Sequence, residues 1–153
     1  MTKKGRATSF LADSRYGSLN VNVRPTVRLR LDERYIYSHL RTRAGSAIYN
    51  NHIVRSKLNY QFNRELSLRA IVDYNGVLSN GSLVNLPRTK RLSCDFLLTY
   101  LLHPGTAFYL GYTDIYEDLR FEPWRPPYLQ LTGSPNLNTG RQVFVKMSYL
   151  FRF

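Results

Sequence analysis

Between Arg141 and Phe153 the chain reads RQVFVKMSYLFRF, and every second residue, Val143, Val145, Met147, Tyr149, Phe151 and Phe153, is apolar or aromatic. Side chains of an extended strand point alternately to its two sides. The other side of the same run therefore carries Gln142, Phe144, Lys146, Ser148, Leu150 and Arg152. A period of two predicts a strand, and one wholly apolar flank demands a medium other than water against it. That medium is either the core of a soluble sheet or the hydrocarbon of a membrane.

Six more stretches read as strands: Ser18 to Val23, Val27 to Leu40, Tyr49 to Phe62, Leu66 to Tyr74, Leu92 to Leu102, and Ala107 to Tyr116. Most reach the roughly 9 to 11 residues that a tilted strand needs to cross a bilayer, beyond the roughly 5 to 6 typical of soluble sheets. The organisation expected is an irregular segment over 1–16 followed by strands over 17–153. The links at Arg24-Pro25-Thr26, Asn63-Arg64-Glu65 and His103-Pro104-Gly105-Thr106 read as tight, and those at Arg41 to Ile48, Asn75 to Arg91 and Glu117 to Gly140 as long. Short and long links taking turns is the asymmetry of outer-membrane barrels, with short periplasmic turns and longer outer loops.

Two faces separate along several strands. Leu66, Leu68, Ala70, Val72 and Tyr74 oppose Ser67, Arg69, Ile71 and Asp73, while Val54, Ser56, Leu58, Tyr60 and Phe62 oppose Ile53, Arg55, Lys57, Asn59 and Gln61. A slip of one residue would move Lys57 or Lys146 to the apolar side, at about 2 to 4 kcal/mol in mid-bilayer, so the register is strongly specified. Val27 to Leu40 breaks the pattern. Its apolar phase, Val27, Leu29, Leu31, continues through Glu33 to Tyr35 and Tyr37. Either a β-bulge shifts the phase there, or Glu33 lies at a shallow or protein-covered depth.

Composition narrows the medium. Lys and Arg number 22 against 10 Asp and Glu, a net charge of +12. In a soluble protein that points to a polyanion, but here the arginines recur at alternate strand positions, as one polar face of a sheet would carry them. Aromatic residues make up 14% of the chain, including 12 Tyr, and barrels build their interfacial girdles from such residues. Cys94 is the single cysteine, which excludes an internal disulfide and any Cys-based metal spacing. Residues 1–15 have a basic start without an apolar stretch of signal-peptide length. The uncharged run Phe96 to Tyr112 is interrupted by His103-Pro104-Gly105, a turn between strands rather than a membrane helix.

The final run resembles the closing strand of bacterial outer-membrane β-barrels, which ends in Phe behind alternating apolar residues and is read by the barrel-insertion machinery. That resemblance implies an assembly signal in Val145, Met147, Tyr149, Phe151 and Phe153. A wider resemblance runs through Asn50 to Asn75 (NNHIVRSKLNYQFNRELSLRAIVDYN), Leu83 to Glu117 (LVNLPRTKRLSCDFLLTYLLHPGTAFYLGYTDIYE) and Gly140 to Phe153 (GRQVFVKMSYLFRF). These runs are similar to the C-terminal region of a large bacterial outer-membrane family with an uncharacterised membrane domain. That domain often stands behind a module similar to carbohydrate-binding family nine, and its members are sometimes described as hydrolases. The resemblance implies a barrel in the outer membrane of a Gram-negative bacterium and assigns no catalytic residue.

The fold class expected is thus all-β, an antiparallel up-and-down segment of a transmembrane barrel with about seven strands. Seven cannot close antiparallel, because the first and last run the same way, so further N-terminal strands of the same protein are expected. Acidic residues on those strands or on a plug would balance Arg28, Arg30, Arg55, Lys57 and Arg69 in the lumen. The partners expected are outer-membrane lipid and lipopolysaccharide, the assembly machinery and a glycan, with no nucleic acid and no cofactor.

Residues able to carry chemistry are few. Asp114, Glu117 and Asp118 gather carboxylates near a strand end, either a glycosidase-like set or a solvated rim. His39 and His52 flank one loop without a third metal ligand. Phe121, Trp124 and Tyr128 lie in the long loop, where they either stack on sugar rings or pin the loop over the barrel mouth. No Ser-His-Asp set, phosphate loop, GxSxG or HExxH motif is present, so no enzyme is expected. The function expected is a membrane anchor or conduit tied to glycan binding or uptake. Its alternatives are a soluble basic β-protein that binds nucleic acid and a part of a surface polysaccharide hydrolase.

Overall fold

The computed structural model of this chain describes residues 11–103, 105–124, 126 and 128–150. They form nine strands: β1 (Ala12–Thr26), β2 (Leu29–Thr42), β3 (Ala47–Gln61), β4 (Leu66–Ser79), β5 (Thr89–His103), β6 (Thr106–Glu117), β7 (Leu119–Glu122), β8 (Tyr128–Leu131) and β9 (Leu137–Tyr149). Seven of them make one sheet in the order β1-β2-β3-β4-β5-β6-β9, every neighbouring pair antiparallel. β7 and β8 form a separate hairpin inside the last long link. The fold is an all-β, up-and-down antiparallel sheet, and it is not closed: β1 and β9 are its two edges.

β1 begins at Ala12, inside the segment expected to be irregular. Its early residues lack an apolar alternation, yet the ladder Ala12↔Thr42 through Val23↔Leu31 holds them extended against a full-length β2. Backbone pairing, not side-chain pattern, sets that boundary. The strict alternation of link lengths also needs correcting. At one end the links are residues 27–28 and 62–65 and the turn between His103 and Thr106, and at the other they are 43–46, 80–88 and 118–136. The link 43–46 is as short as 62–65. β2 and β3 run past a bulge at Leu40/Arg41 and close on a tight turn, in which Gly45 takes a φ of 89° and its N–H donates to the Thr42 carbonyl at 2.9 Å. The asymmetry between the two ends survives only in the last two links.

The register gives the sheet its shear. A cross-strand row starting at Leu29, the first residue of β2, runs through Tyr60, Leu68 and Leu98 to Leu110, four residues beyond the start of β6 at Thr106. Four residues over four strand steps, at roughly 3.3 Å and 4.8 Å respectively, slope the strand ends by about 35°. Transmembrane barrels tilt their strands by about 35 to 45°.

Packing is single-layered. Among the described residues the buried apolar side chains are Ile48 and Ala107. The accessible surface is 11995 Å², whereas a globular protein of this mass exposes about 8,000 Å². Among the described residues the sheet is thus one layer with both faces largely open.

Candidate functional site

Residues paired across an antiparallel ladder share a face, so the registers sort the side chains. One face carries Leu29, Leu31, Leu58, Leu66, Leu68, Val72, Leu98, Leu110, Val143 and Val145. The other carries Arg30, Asp32, Arg34, Arg55, Lys57, Arg69, Asp73 and Asp95. Two open depressions of about 670 Å³ each are lined mainly from the polar face, one across β1 to β4 and one across β1 to β5, and a more open one of about 550 Å³ lies on the apolar face beside Leu19, Tyr35, Tyr37 and His52. On β6 Ala107 and Gly111 of the polar face are buried while Phe108 and Leu110 of the apolar face are exposed, as in a sheet that is concave on its polar side, and the apolar face is left on the outside. A soluble barrel or sandwich has the opposite arrangement.

Height along the tilted strands orders the apolar face further. From the short-turn end to about 20 Å above it, the face is aliphatic and aromatic apart from Glu33, Ser56, Cys94 and two threonines at its foot; above about 22 Å it carries Arg15, His39, Asn50, His52, Asp114 and Arg141. Tyr60, Tyr100, Phe108 and Tyr149 sit low on this face, and Tyr37, Tyr74 and Tyr116 sit high. Aromatic rings thus stand at both ends of an apolar band of about 20 Å, with Tyr35, Phe96 and Tyr112 within it; transmembrane barrels carry aromatic girdles at both ends of an apolar band about 25 Å tall.

Three carboxylates fall on this apolar face, and one of them, Asp13 opposite Arg41, lies at its upper end. No bulge interrupts β2 at Glu33, which pairs regularly with Val21 and Ser56, so the phase shift considered from sequence is absent. Glu33 lies about 11 Å up, inside the band, and accepts a short hydrogen bond from the Ser56 hydroxyl. Asp114, about 22 Å up by the same measure, is only 6% exposed. The Tyr112 and Tyr116 hydroxyls donate to it at 2.8 and 2.9 Å, the Asn138 amide donates as well, and the Arg141 guanidinium adds Nε at 3.3 Å and a second nitrogen at 3.2 Å. This knot ties β6 to β9 at the rim. Sequence reasoning missed it, although two phase-breaking charges at matching heights, Asp114 and Arg141, were the available signal.

The three neighbouring carboxylates do not form a set. Glu117 faces the polar side opposite Arg91, and Asp118, 3% exposed, accepts from the Lys90 backbone N–H at 2.8 Å. His39 and His52 do not face each other either. His39 bonds Asn50, and His52 bonds the Tyr35 hydroxyl at 2.8 Å and packs against Tyr37 with ring centroids 5.0 Å apart. Among the described residues no group of three His, Cys, Asp or Glu side chains is placed to hold a metal.

The long-loop aromatics are not brought together. Phe121 pairs with Leu129 on one face of the β7–β8 hairpin, whereas Tyr128 pairs with Glu122 on the opposite face. Trp124 lies beyond the strand and is 72% exposed. The loop is held by polar contacts instead: the Asp118 N–H donates to the Lys90 carbonyl at 3.0 Å, the Thr132 N–H to the Asp118 carbonyl at 2.7 Å, and Lys90 Nζ to the Gly133 carbonyl at 2.6 Å. Of the expected assembly signal, Val145, Met147 and Tyr149 stand exposed on the apolar side of β9, and Phe151 and Phe153 lie outside the described residues. Phe144, on the polar side, lays its ring over Gly111, where any Cβ would fall 2.0 Å from a ring carbon.

Comparison of the chain with protein-family models, with curated proteins and with solved structures returns no match.

Proposed function

We propose that this chain forms part of the wall of a transmembrane β-barrel in the outer membrane of a Gram-negative bacterium, where it acts as anchor and conduit. One observation carries this reading: the apolar face lies on the outside of the curl, bears an apolar band about 20 Å tall with aromatic rings at both ends, and has no protein packed on it among the described residues. Lipid and lipopolysaccharide are its proposed partners on that side. Further strands of the same protein would sit between β1 and β9, which run in the same direction and cannot pair antiparallel with each other. The set Val145, Met147 and Tyr149, continued in sequence by Phe151 and Phe153, is proposed to recruit the assembly machinery. A parent protein that binds or takes up glycan is part of the proposal through the family resemblance alone.

The soluble nucleic-acid reading has less support. Sequence-tolerant binding of single strands sets stacking rings and cations on one surface. Here Tyr35, Tyr37, Tyr60, Tyr74, Tyr100, Tyr112, Tyr116 and Tyr149 share the apolar face, and the arginines of β2 to β4 lie on the other. Refolding tests the proposal. The purified chain should need detergent micelles or liposomes to give a β-sheet circular-dichroism spectrum and a protease-resistant form; a compact, monodisperse β-protein in plain buffer would end the membrane reading.

A further inference from the structure

The polar face is not evenly charged. Over β2 to β4 and the turn before them it presents Arg28, Arg30, Arg34, Arg55, Lys57 and Arg69, with Asp32 and Asp73 between them. Over β5, β6 and β9 its cations Arg91 and Lys146 are matched by Asp95 and Glu117. Within the basic half, Asp32 pairs with Arg30 at 3.0 Å and Asp73 with Arg55 at 3.5 Å. Among the described residues Arg28, Arg34, Lys57 and Arg69 have no carboxylate within ion-pairing distance. Arg34 and Arg55 stand directly opposite each other in the ladder, a like-charge pairing that destabilises a sheet unless something neutralises it.

Four of the chain's other carboxylates are engaged elsewhere. Glu33 and Asp114 belong to the opposite face, Asp95 accepts from the Thr113 hydroxyl at 2.6 Å, and Asp118 is bound to the Lys90 backbone. The basic residues border the two depressions of about 670 Å³, alongside the uncharged donors Asn20, Asn22 and Asn59. Along the tilted strands they climb about 20 Å, from the short-turn end towards mid-height. Rings and ladders of Arg and Lys are how pores select anions, and guanidinium groups bind phosphate and carboxylate oxygens in a bidentate fashion.

We infer that this half of the polar face is a binding ladder for multivalent oxyanions, the phosphate or carboxylate groups of a small polyanion held by Arg34, Arg55, Lys57 and Arg69 together. Binding needs only the folded sheet; that the ladder lines a pore rests on the barrel reading.

Calorimetric titration of the full chain, refolded in zwitterionic micelles or in whichever medium keeps it folded, tests this with inorganic tripolyphosphate and with trigalacturonate as probes. At least one probe should bind, more weakly as salt rises from about 20 to about 300 mM. Replacing Arg34, Arg55 and Arg69 by Gln should weaken it by about tenfold or more. The preferred probe distinguishes phosphate from carboxylate chemistry. Replacing Arg91 and Lys146 by Gln should leave Kd within about twofold. No saturable binding of either probe, or an equal loss in the Arg91 and Lys146 variant, would overturn the inference. Circular dichroism of each variant separates loss of binding from loss of fold, and a chain folded only in plain buffer would sink the membrane reading while leaving the ladder to be judged by its titration.

Discussion

Glu33 and Asp114 lie on the same face and in the same cross-strand row, Val21, Glu33, Ser56, Val72, Cys94, Asp114, Arg141. Their surroundings differ because the row climbs as it crosses the tilted strands. Asp114 has reached the rim, where Tyr112, Tyr116, Asn138 and Arg141 satisfy both its oxygens. Glu33 is left among aliphatic residues with the Ser56 hydroxyl as its hydrogen-bonding partner. A carboxylate on an apolar face is thus two different things, depending on height. At the edge of the band it joins strands; in the middle, under the proposed membrane reading, it is a cost, and a smaller one for an acidic residue than for Lys or Arg.

Putting a cation at Glu33's height should break the tolerance. Leu110→Arg, mid-band on β6, is expected to destabilise the membrane-folded chain by about 2 to 4 kcal/mol in denaturant titrations in lipid. Thr113→Arg, on the polar face of the same strand, should change little; equal losses at both sites would mean that the apolar face does not meet hydrocarbon. Next in size comes Asp114→Ala, which strips Arg141 of its carboxylate and leaves the Asn138 amide and two tyrosine hydroxyls without their acceptor. The expected result is early opening of β9, read as faster amide hydrogen exchange in Leu137–Tyr149 than in β3. An unchanged exchange pattern would show that the knot is ornamental.

Glu33→Leu should act in the opposite sense. Removing the one acidic residue that the band holds among the described residues is expected to stabilise the lipid-bound form by about 1 to 2 kcal/mol, and a destabilised variant would mean that Glu33 contacts something other than lipid. Ser56→Ala is the smallest change, a loss of about 1 kcal/mol from one hydrogen bond. It should vanish in the Glu33→Leu background, since the bond it removes is then already gone.

How far the fold was legible follows from the same physics. The alternation in β3, β4 and β9 made strands and their two faces readable, because a period of two leaves little choice once one face is apolar. Six of the seven strands of the sheet were expected, β2, β3 and β6 to within two residues at each end, whereas β4 runs on to Ser79 and β5 and β9 begin earlier, at Thr89 and Leu137. β1 was expected six residues long at Ser18 to Val23 and is 15 residues long, because its length comes from pairing with β2. The β7–β8 hairpin was unreadable for a similar reason: each strand has four residues, too few for a period to declare itself. The aromatic trio Phe121, Trp124 and Tyr128 was picked out by residue type, yet whether such residues share a surface depends on a hairpin register that type does not encode.

The amino-acid order by itself determined that this chain is a run of long antiparallel strands with one apolar and one basic flank, since side-chain direction in a strand follows from position alone. Tertiary structure decided what those flanks become. The register converts a step along the sequence into a height on a tilted sheet, and the curl decides which flank faces out. That is why Asp114 finds four partners, Glu33 finds one, and the arginines of three separate strands share a single hollow.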